Sequence, residues 1–453
     1  MFPWMHVFSG RRFGLGNVTY DDWRRFAEPR LRWYHVLALC QGAVMVLAGF
    51  EVIIPFALAI GAPPAVAVLL GVLPVAGGMA QLLVPRLLDR TDGNLRGITI
   101  LIAGAGEIRG VILAVLAIGL AAGVVPAPLA VVTLAIVVTL TGILGAVGGA
   151  NLLAWHSAVL GEQERRLVVP RLMALSMAMG ALLLLPVGLV VDALVDRVGL
   201  LAYAVPFAIA GSFGVLEIAA LRRLPHPGRV IVPKRLVGAT APESPELRQL
   251  LRASAANSLG MGIMPYLSVY AIVVLGLSAG FTMSLGALSM ATMVVAAAVA
   301  GARLAHGSSA RMLRASFAVR ALAMTLPILA LPGSALAPLL LGAAGMVSAI
   351  GFVMGQLSGN ERLYRLISGP AVIRQHGRYL ARTAGAMTAG QLASSAVLAV
   401  GMPIGYPIFA GLFAVSGGLR VLAYWLAEPA SAVRRTAPSM EHVTATGPLV
   451  SGR

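Results

Sequence analysis

Residues 126 to 159 read PAPLAVVTLAIVVTLTGILGAVGGANLLAWHSAV, a run without Asp, Glu, Lys or Arg. At about 1.5 Å of rise per residue it is more than long enough to cross the roughly 30 Å of hydrocarbon in a bilayer. Charge returns immediately behind it, at Glu162, Arg165 and Arg166. Similar apolar runs recur along nearly the whole chain, bounded by charged or Pro/Gly clusters. A barrel strand would alternate apolar and polar residues over about ten positions, so these uninterrupted runs predict helices.

The composition agrees. Of the 453 residues, 58% are hydrophobic and 11% charged, and the mean hydropathy is +0.88, whereas soluble domains carry about 25% charge. Cutting at the charged and Pro/Gly clusters predicts twelve spans, at 34–60, 64–87, 97–121, 126–159, 168–195 and 200–222, then 248–275, 278–304, 312–331, 335–367, 378–401 and 404–427. Five connections, after spans two, four, six, eight and ten, hold Arg86, Arg90, Arg96, Arg165, Arg166, Arg222, Arg223, Arg229, Lys234, Arg235, Arg303, Arg311, Arg314, Arg362, Arg365, Arg374 and Arg378; the opposite set holds only Asp192, Asp196 and Arg197. Lys and Arg near span ends stay in the cytoplasm, so both termini are expected inside. The net charge of +17 is therefore topological, and no separable basic domain or aromatic-and-basic surface points to nucleic acid.

The pattern divides the chain into a cytoplasmic segment at 1–33, a first bundle of six helices at 34–223, a linker at 224–247, a second bundle at 248–427 and a disordered tail at 428–453. Trp23, Phe26, Trp33 and Tyr34 among Arg24, Arg25, Arg30 and Arg32 fit a short helix at the headgroups. Residues 1–33 have no apolar core or cleavage site of a signal peptide. Leu247–Leu251, with Ser244 as N-cap, reads as an interfacial helix. The single cysteine, Cys40, permits no intrachain disulfide. The halves repeat weakly: Gly142–Gly149 leads to Glu162, Arg165, Pro170 and Arg171, and Gly345–Gly355 leads to Glu361, Arg362, Arg365, Pro370 and Arg374. Paired halves of this kind build secondary transporters, with a solute site between them near the midplane.

Several polar residues fall inside spans. Glu51 lies deep in span one, where an ionised carboxylate costs at least about 2.5 kcal/mol. Pro55 frees the Glu51 carbonyl and predicts a kink at the acid. Together they predict a proton site. Glu107 and Arg109, two residues apart in span three, point away from each other and each needs a partner on another helix. Arg320 in span nine reads as a cation snorkelling to the interface. Met173, Met177, Met261, Met264, Met283, Met290 and Met293 fit either an adaptable apolar cavity or core packing. No metal-binding, nucleotide-binding or nucleophile motif is present, and no cofactor is expected.

Six plus six spans, a long central linker and short outer loops resemble the major facilitator superfamily over residues 34–428. The loop Pro85-Arg86-Leu87-Leu88-Asp89-Arg90-Thr91-Asp92-Gly93-Asn94-Leu95-Arg96 resembles the Gly-x-x-x-Asp-Arg-x-Gly-Arg-Arg marker of that family, with Pro85 for the first Gly and one residue inserted. The resemblance implies a cytoplasmic latch at Asp89, Arg90 and Gly93. Its second-half counterpart, Gly301–Arg311, lacks the acid. In that fold span three is peripheral, which implies that Glu107 and Arg109 form buried ion pairs. Spans four and ten border the cavity in that fold, which brings in Asn151, Trp155, Gln356 and Asn360 as solute contacts and His156, with Glu51, as a group for proton coupling; Asn257, Tyr266 and Tyr270 in span seven and Gln391 in span eleven are candidates to orient a solute from the other half. The Arg in span four and the Gly-Pro signature in span five that mark drug antiporters are missing.

The expectation is an alternating-access transporter in a bacterial inner membrane, monomeric, coupled to protons. It moves a hydrophobic or amphipathic solute, export being favoured by an apolar cavity without a placed charge. An uptake permease, or a membrane-embedded enzyme or receptor on the same fold, are the alternatives.

Overall fold

The computed structural model describes residues 31–90, 94–160, 162–226, 244–306, 308–366 and 372–427. The expected headgroup helix, most of the linker, the tail and Gly93 lie outside the described residues. Every regular element among the described residues is helical. The first half holds α1 (Arg32–Leu47), α2 (Phe50–Ala59), α3 (Pro64–Ala76), α4 (Val84–Arg90), α5 (Leu95–Glu107), α6 (Arg109–Ala121), α7 (Ala127–Val159), α8 (Glu162–Val198) and α9 (Ala204–Arg223). The second holds α10 (Pro245–Met261), α11 (Tyr266–Val269), α12 (Ala279–His306), α13 (Ser309–Ala323), α14 (Thr325–Leu329), α15 (Ala337–Leu366), α16 (Val372–Gly401) and α17 (Tyr406–Leu426).

The breaks follow from sequence. The chain steps out of α1 at Ala48 and restarts after Gly49, whose backbone is extended. The kink therefore precedes Glu51 by two residues, while Pro55 is accommodated inside α2. Pro265 ends the turn that separates α10 from α11, and residues Tyr270–Val274 widen into a π-helix. Leu247–Leu251 is not a separate interfacial helix: Ser244 Oγ accepts the Leu247 amide at 3.1 Å and the helix runs unbroken from Pro245 to Met261. Pro at the first position and a serine cap start one continuous span there.

Among the described residues nine helical stretches are long and apolar enough to cross a membrane, or ten if the pair Pro64–Gly71 and Leu73–Leu83, bent by 42°, counts as one. Twelve were expected. The difference arises where charge or a break interrupts a run: Arg171–Arg223 counts once although it extends over 53 residues and turns at Gly199–Tyr203, and α6 is a shorter apolar helix that continues α5 past Ile108. Six glycines, Gly61, Gly123, Gly199, Gly276, Gly333 and Gly405, have φ between 57° and 84°, and one sits in each connection of the charge-poor set. The left-handed conformation lets the chain reverse direction at a helix end without a Cβ clash.

Large apolar side chains cover the outside, among them Val400 at 84% exposure, Leu101 at 73% and Leu182 at 71%. A surface of this kind has lipid as its solvent, and the chain is a multi-pass membrane protein.

The interior is asymmetric from one end to the other. At the glycine-loop end one apolar core runs through both halves, from Val46, Phe56 and Leu184 to Tyr270, Met283 and Phe413. At the charged end the core splits around the centre, and the halves stay joined at the edge where Met173 of α8 packs on Ala296, Ala297, Ala300 and Val353. Tyr34, Val84, Trp155 and Leu221 pack among first-half residues only, and Leu250, Leu313, Phe317 and Leu363 among second-half residues only. The halves meet chiefly where α8 packs on α12 and where α3, continued by Gly77–Leu83, packs on α16, with smaller contacts of α2 against α11 and α12. On the first pair, a Cβ at Gly280 would stand 2.2 Å from the Gly188 carbonyl oxygen, so backbone touches backbone. Asp192 reinforces this crossing, accepting from Ser278 Oγ at 2.6 Å and from the Gly280 amide at 2.7 Å. Met283 and Met290 are buried there and act as packing.

Candidate functional site

Between the split cores lies a cavity of about 450 Å³. Its first-half wall comes from Pro74 to Gln81, Arg109 and Thr141 to Ala146, and its second-half wall from α10, α13, α15 and α16. Of its glycines only Gly145 faces open space; a Cβ at Gly142 would stand 2.3 Å from Pro74 Cα and one at Gly78 2.6 Å from Ala384 Cβ, so these two let the walls pack closely.

The second-half wall is polar. Arg320 on α13 is 4% exposed. Its Nη1 donates to Asn257 Oδ1 at 3.0 Å and to Met261 Sδ at 3.2 Å, and its guanidinium carbon lies 5.1 Å from the Phe352 ring centre. The helices of that wall converge on it because α13 packs against α15 and α17, and α10 against α16 and α17. Arg420 on α17 is fully buried and stands behind Arg320, donating to the Arg320 carbonyl at 3.0 Å and to the Gly260 carbonyl at 3.5 Å. Tyr379, also in the wall, donates to Ser254 Oγ at 3.3 Å. Arg320 is therefore no snorkelling residue: it points inward among helices instead of along the lipid to the headgroups.

The predicted solute contacts separate into two groups. Asn257 and Gln356 line the cavity. Trp155 does not; it sits in the first-half core and its indole donates to the Pro225 carbonyl at 2.9 Å, tying the start of the linker to α7. Asn151 is buried without a place in the wall. Tyr266 is turned into the second bundle, its hydroxyl 2.6 Å from Ser395 Oγ and 3.2 Å from the Gln391 carbonyl. Tyr270 donates to the Ala330 carbonyl and packs on Phe409 and Phe413 at 5.3 and 5.7 Å between ring centres. These tyrosines share a face, as expected, but that face looks into the bundle because spans nine and eleven offer the partners their hydroxyls need and span twelve the rings on which Tyr270 packs. Gln391 is 1% exposed and lies one turn beyond the cavity residue Met387. Asn360 is half-buried and lies outside the wall.

Arg109 lines the cavity, so span three is not peripheral here. The break at Ile108 restarts the helix at Arg109 and turns this residue toward the second half. The side chains of Glu107, His156 and Asp89 lie outside the described residues; Arg90 is exposed. Glu51 is absent from the cavity wall. It faces the other half at the glycine-loop end, where a Cβ at Gly286 of α12 would come within 3.2 Å of Glu51 Cγ. Glu217 accepts from Gln41 Nε2 at 3.1 Å inside the first bundle. Sequence reasoning passed over Arg420, which lies in the last third of an apolar span where an arginine ordinarily reaches the interface. Its one visible signal was the near absence of acids to neutralise it.

No protein-family model and no curated protein matches the sequence. Solved structures do match. A POT family transporter in complex with 5-aminolevulinic acid superposes with a TM-score of 0.64 at 12% identity, covering 87% of this chain and 94% of that one. The nucleoside transporter NupG gives 0.59 at 13% identity over 87% and 97%, and the human organic anion transporter MFSD10 gives 0.58 at 17% identity over 88% and 100%. Identities this low speak for architecture alone, and what they establish is that the chain has the fold of major facilitator-type transporters.

Proposed function

We propose that this protein is a secondary transporter that carries a small amphipathic solute by alternating access, its two bundles, 34–223 and 248–427, rocking about the central cavity. The carrying observation is the core that is continuous across both halves at one end and split around a cavity at the other, which is how one state of such a machine must be built. Twelve crossings with both termini in the cytoplasm are supported by the six left-handed glycines, one on each charge-poor turn, and by the arginines on the opposite turns. The cavity then faces the cytoplasm, in keeping with a bacterial inner membrane. The preference for export rested on an uncharged cavity; Arg109 and Arg320 remove that ground, and direction is left to the flux measurement.

Glu51 is the coupling group in this reading. It sits half-buried where the bundles meet at the closed end, beside the apolar joint core, where an ionised carboxylate is unfavourable by several kcal/mol. Closure there favours the neutral acid, so a proton taken up from the outer side accompanies each closure, and coupling requires that it leave toward the cytoplasm-facing cavity before that end reopens. His156 is kept as an auxiliary group, and Asp89, Arg90 and Gly93 as the cytoplasmic latch.

Reconstituted protein is expected to move solute faster under an imposed pH gradient, and Glu51→Gln to move it at a rate independent of that gradient. A Glu51→Gln protein whose flux still follows the gradient would remove the coupling role, and wild-type liposomes no leakier to any solute than empty ones would remove transport itself.

A further inference from the structure

Between residues 247 and 427 the sequence holds a single acid, Glu361, and Arg365 Nε occupies it at 2.8 Å. Yet the second bundle buries two guanidinium groups near its centre, Arg320 at 4% and Arg420 at 0% exposure. Neither finds a carboxylate among the described residues. Both of the protein hydrogen bonds of the Arg320 head come from Nη1, to a neutral amide oxygen and a thioether. Arg420 is held by two backbone carbonyls, and its Nε has no partner among the described residues. Buried cations without counter-charge are unfavourable, and those kept inside a membrane protein ordinarily serve a pathway or a ligand.

Arg320 is also part of the cavity wall, and Arg109 enters the same wall from the first half. No Asp or Glu lies among the residues that line it. Apolar side chains, Met261, Phe317 and Met387, share that wall with its polar groups.

We propose that the solute is an amphipathic organic anion whose carboxylate or phosphate-type oxygens bind the open side of the Arg320 fork, with Arg109 closing on them from the other bundle. The inference rests on the transporter reading and names its substrate class. A planar fork matches two oxygens of an oxyanion at once, which a lysine ammonium does not. Asn257 is a positioning residue: it accepts from Nη1 and so turns the remaining donors toward the cavity. Arg420 adds a second positive charge behind Arg320. A cavity near 450 Å³ accepts a ligand of about the size of a fused aromatic acid.

The test uses the full-length purified protein and two probes of equal shape, 2-naphthoate and neutral 2-naphthamide, with 2-naphthyl phosphate as a second anion. At least one of the anions is expected to raise the thermal unfolding midpoint in a concentration-dependent way, and the amide to leave it unchanged, since only a ligand of the folded state stabilises it. Arg320→Gln is expected to weaken the anion's apparent affinity at least tenfold, and Arg320→Lys to retain more than the glutamine variant. Should Arg320→Gln fail to purify as a single species, Arg109→Gln is expected to weaken binding at least threefold. Stabilisation by the amide equal to that by the anions, undiminished anion binding in the variants, or no stabilisation by either anion would overturn the proposal. Binding is read without flux, so charge-selective binding in a protein that moves nothing would remove the transport reading alone. Equal transport of naphthoate and naphthamide would remove this inference alone.

Discussion

Gly280→Val is expected to abolish closure of the glycine-loop end and to cut transport at least tenfold. A Cβ there would lie 2.2 Å from the Gly188 carbonyl oxygen, which is backbone and cannot swing away, and 2.5 Å from the Asp192 carboxylate, which can move only by breaking its bonds across the crossing. Overpacking of this kind costs about 1–3 kcal/mol, and the Asp192 contacts to Ser278 and the Gly280 amide are lost with it. These charge-assisted bonds contribute to the closed state alone, so their loss adds to the same shift. Each ~1.4 kcal/mol moves the balance between the two states tenfold. The readout is a cysteine in place of Met283, which is fully buried in the joint core. In a background with Cys40→Ala it is expected to resist a membrane-impermeant maleimide, and to react once Gly280→Val is added. Unchanged protection together with full transport would mean that this crossing does not move.

The second large effect separates two substitutions at one position. Arg420→Ala is expected to destabilise the protein by about 3 kcal/mol, because it removes a fully buried side chain and leaves a void. Arg420→Met fills most of the same volume and removes a buried charge held only by carbonyls. It is expected to melt within a few degrees of the wild type, as replacements of buried ionic groups by packed apolar ones often do. The same variant is expected to weaken anion binding at least threefold, through the lost positive charge behind Arg320. A methionine variant that unfolds like the alanine one would show Arg420 to be a structural strut.

Much of the architecture was legible in the sequence, since lipid leaves so few solutions. A run such as residues 126–159 has to be a buried helix, and arginines on alternate turns leave one sense of insertion. The local breaks were less legible. Pro55 drew attention to the wrong place, because a proline in the middle of an apolar span is absorbed when neighbouring helices hold it, whereas Gly49, with no side chain at all, let the helix part. The site was the least legible. Tyr266 and Tyr270 share a face as spacing requires, but spacing does not say whether that face meets a cavity or another helix. Arg109 was misplaced for the related reason that one residue of helix break, at Ile108, rotates everything after it. Arg320 and Arg420 occupy positions where snorkelling is the ordinary outcome, and only tertiary packing turns them inward. That the second bundle holds a single acid, Glu361, was readable from the start, and it supports the anion inference.

Alternating access around the cavity is tested most directly by measuring distances between the halves at both ends in lipid nanodiscs. In the Cys40→Ala background, spin labels replace Val124 and Leu336 at the glycine-loop end, both well exposed at 76% and 61%, and in a second protein Arg86 and Arg311 at the charged end, also exposed. Pulsed dipolar spectroscopy is expected to give two populations for each pair, and Gly280→Val to lengthen the first distance while shortening the second. Single, fixed distances at both ends, or shifts of the same sign, would contradict the rocking of two bundles on which the whole interpretation stands.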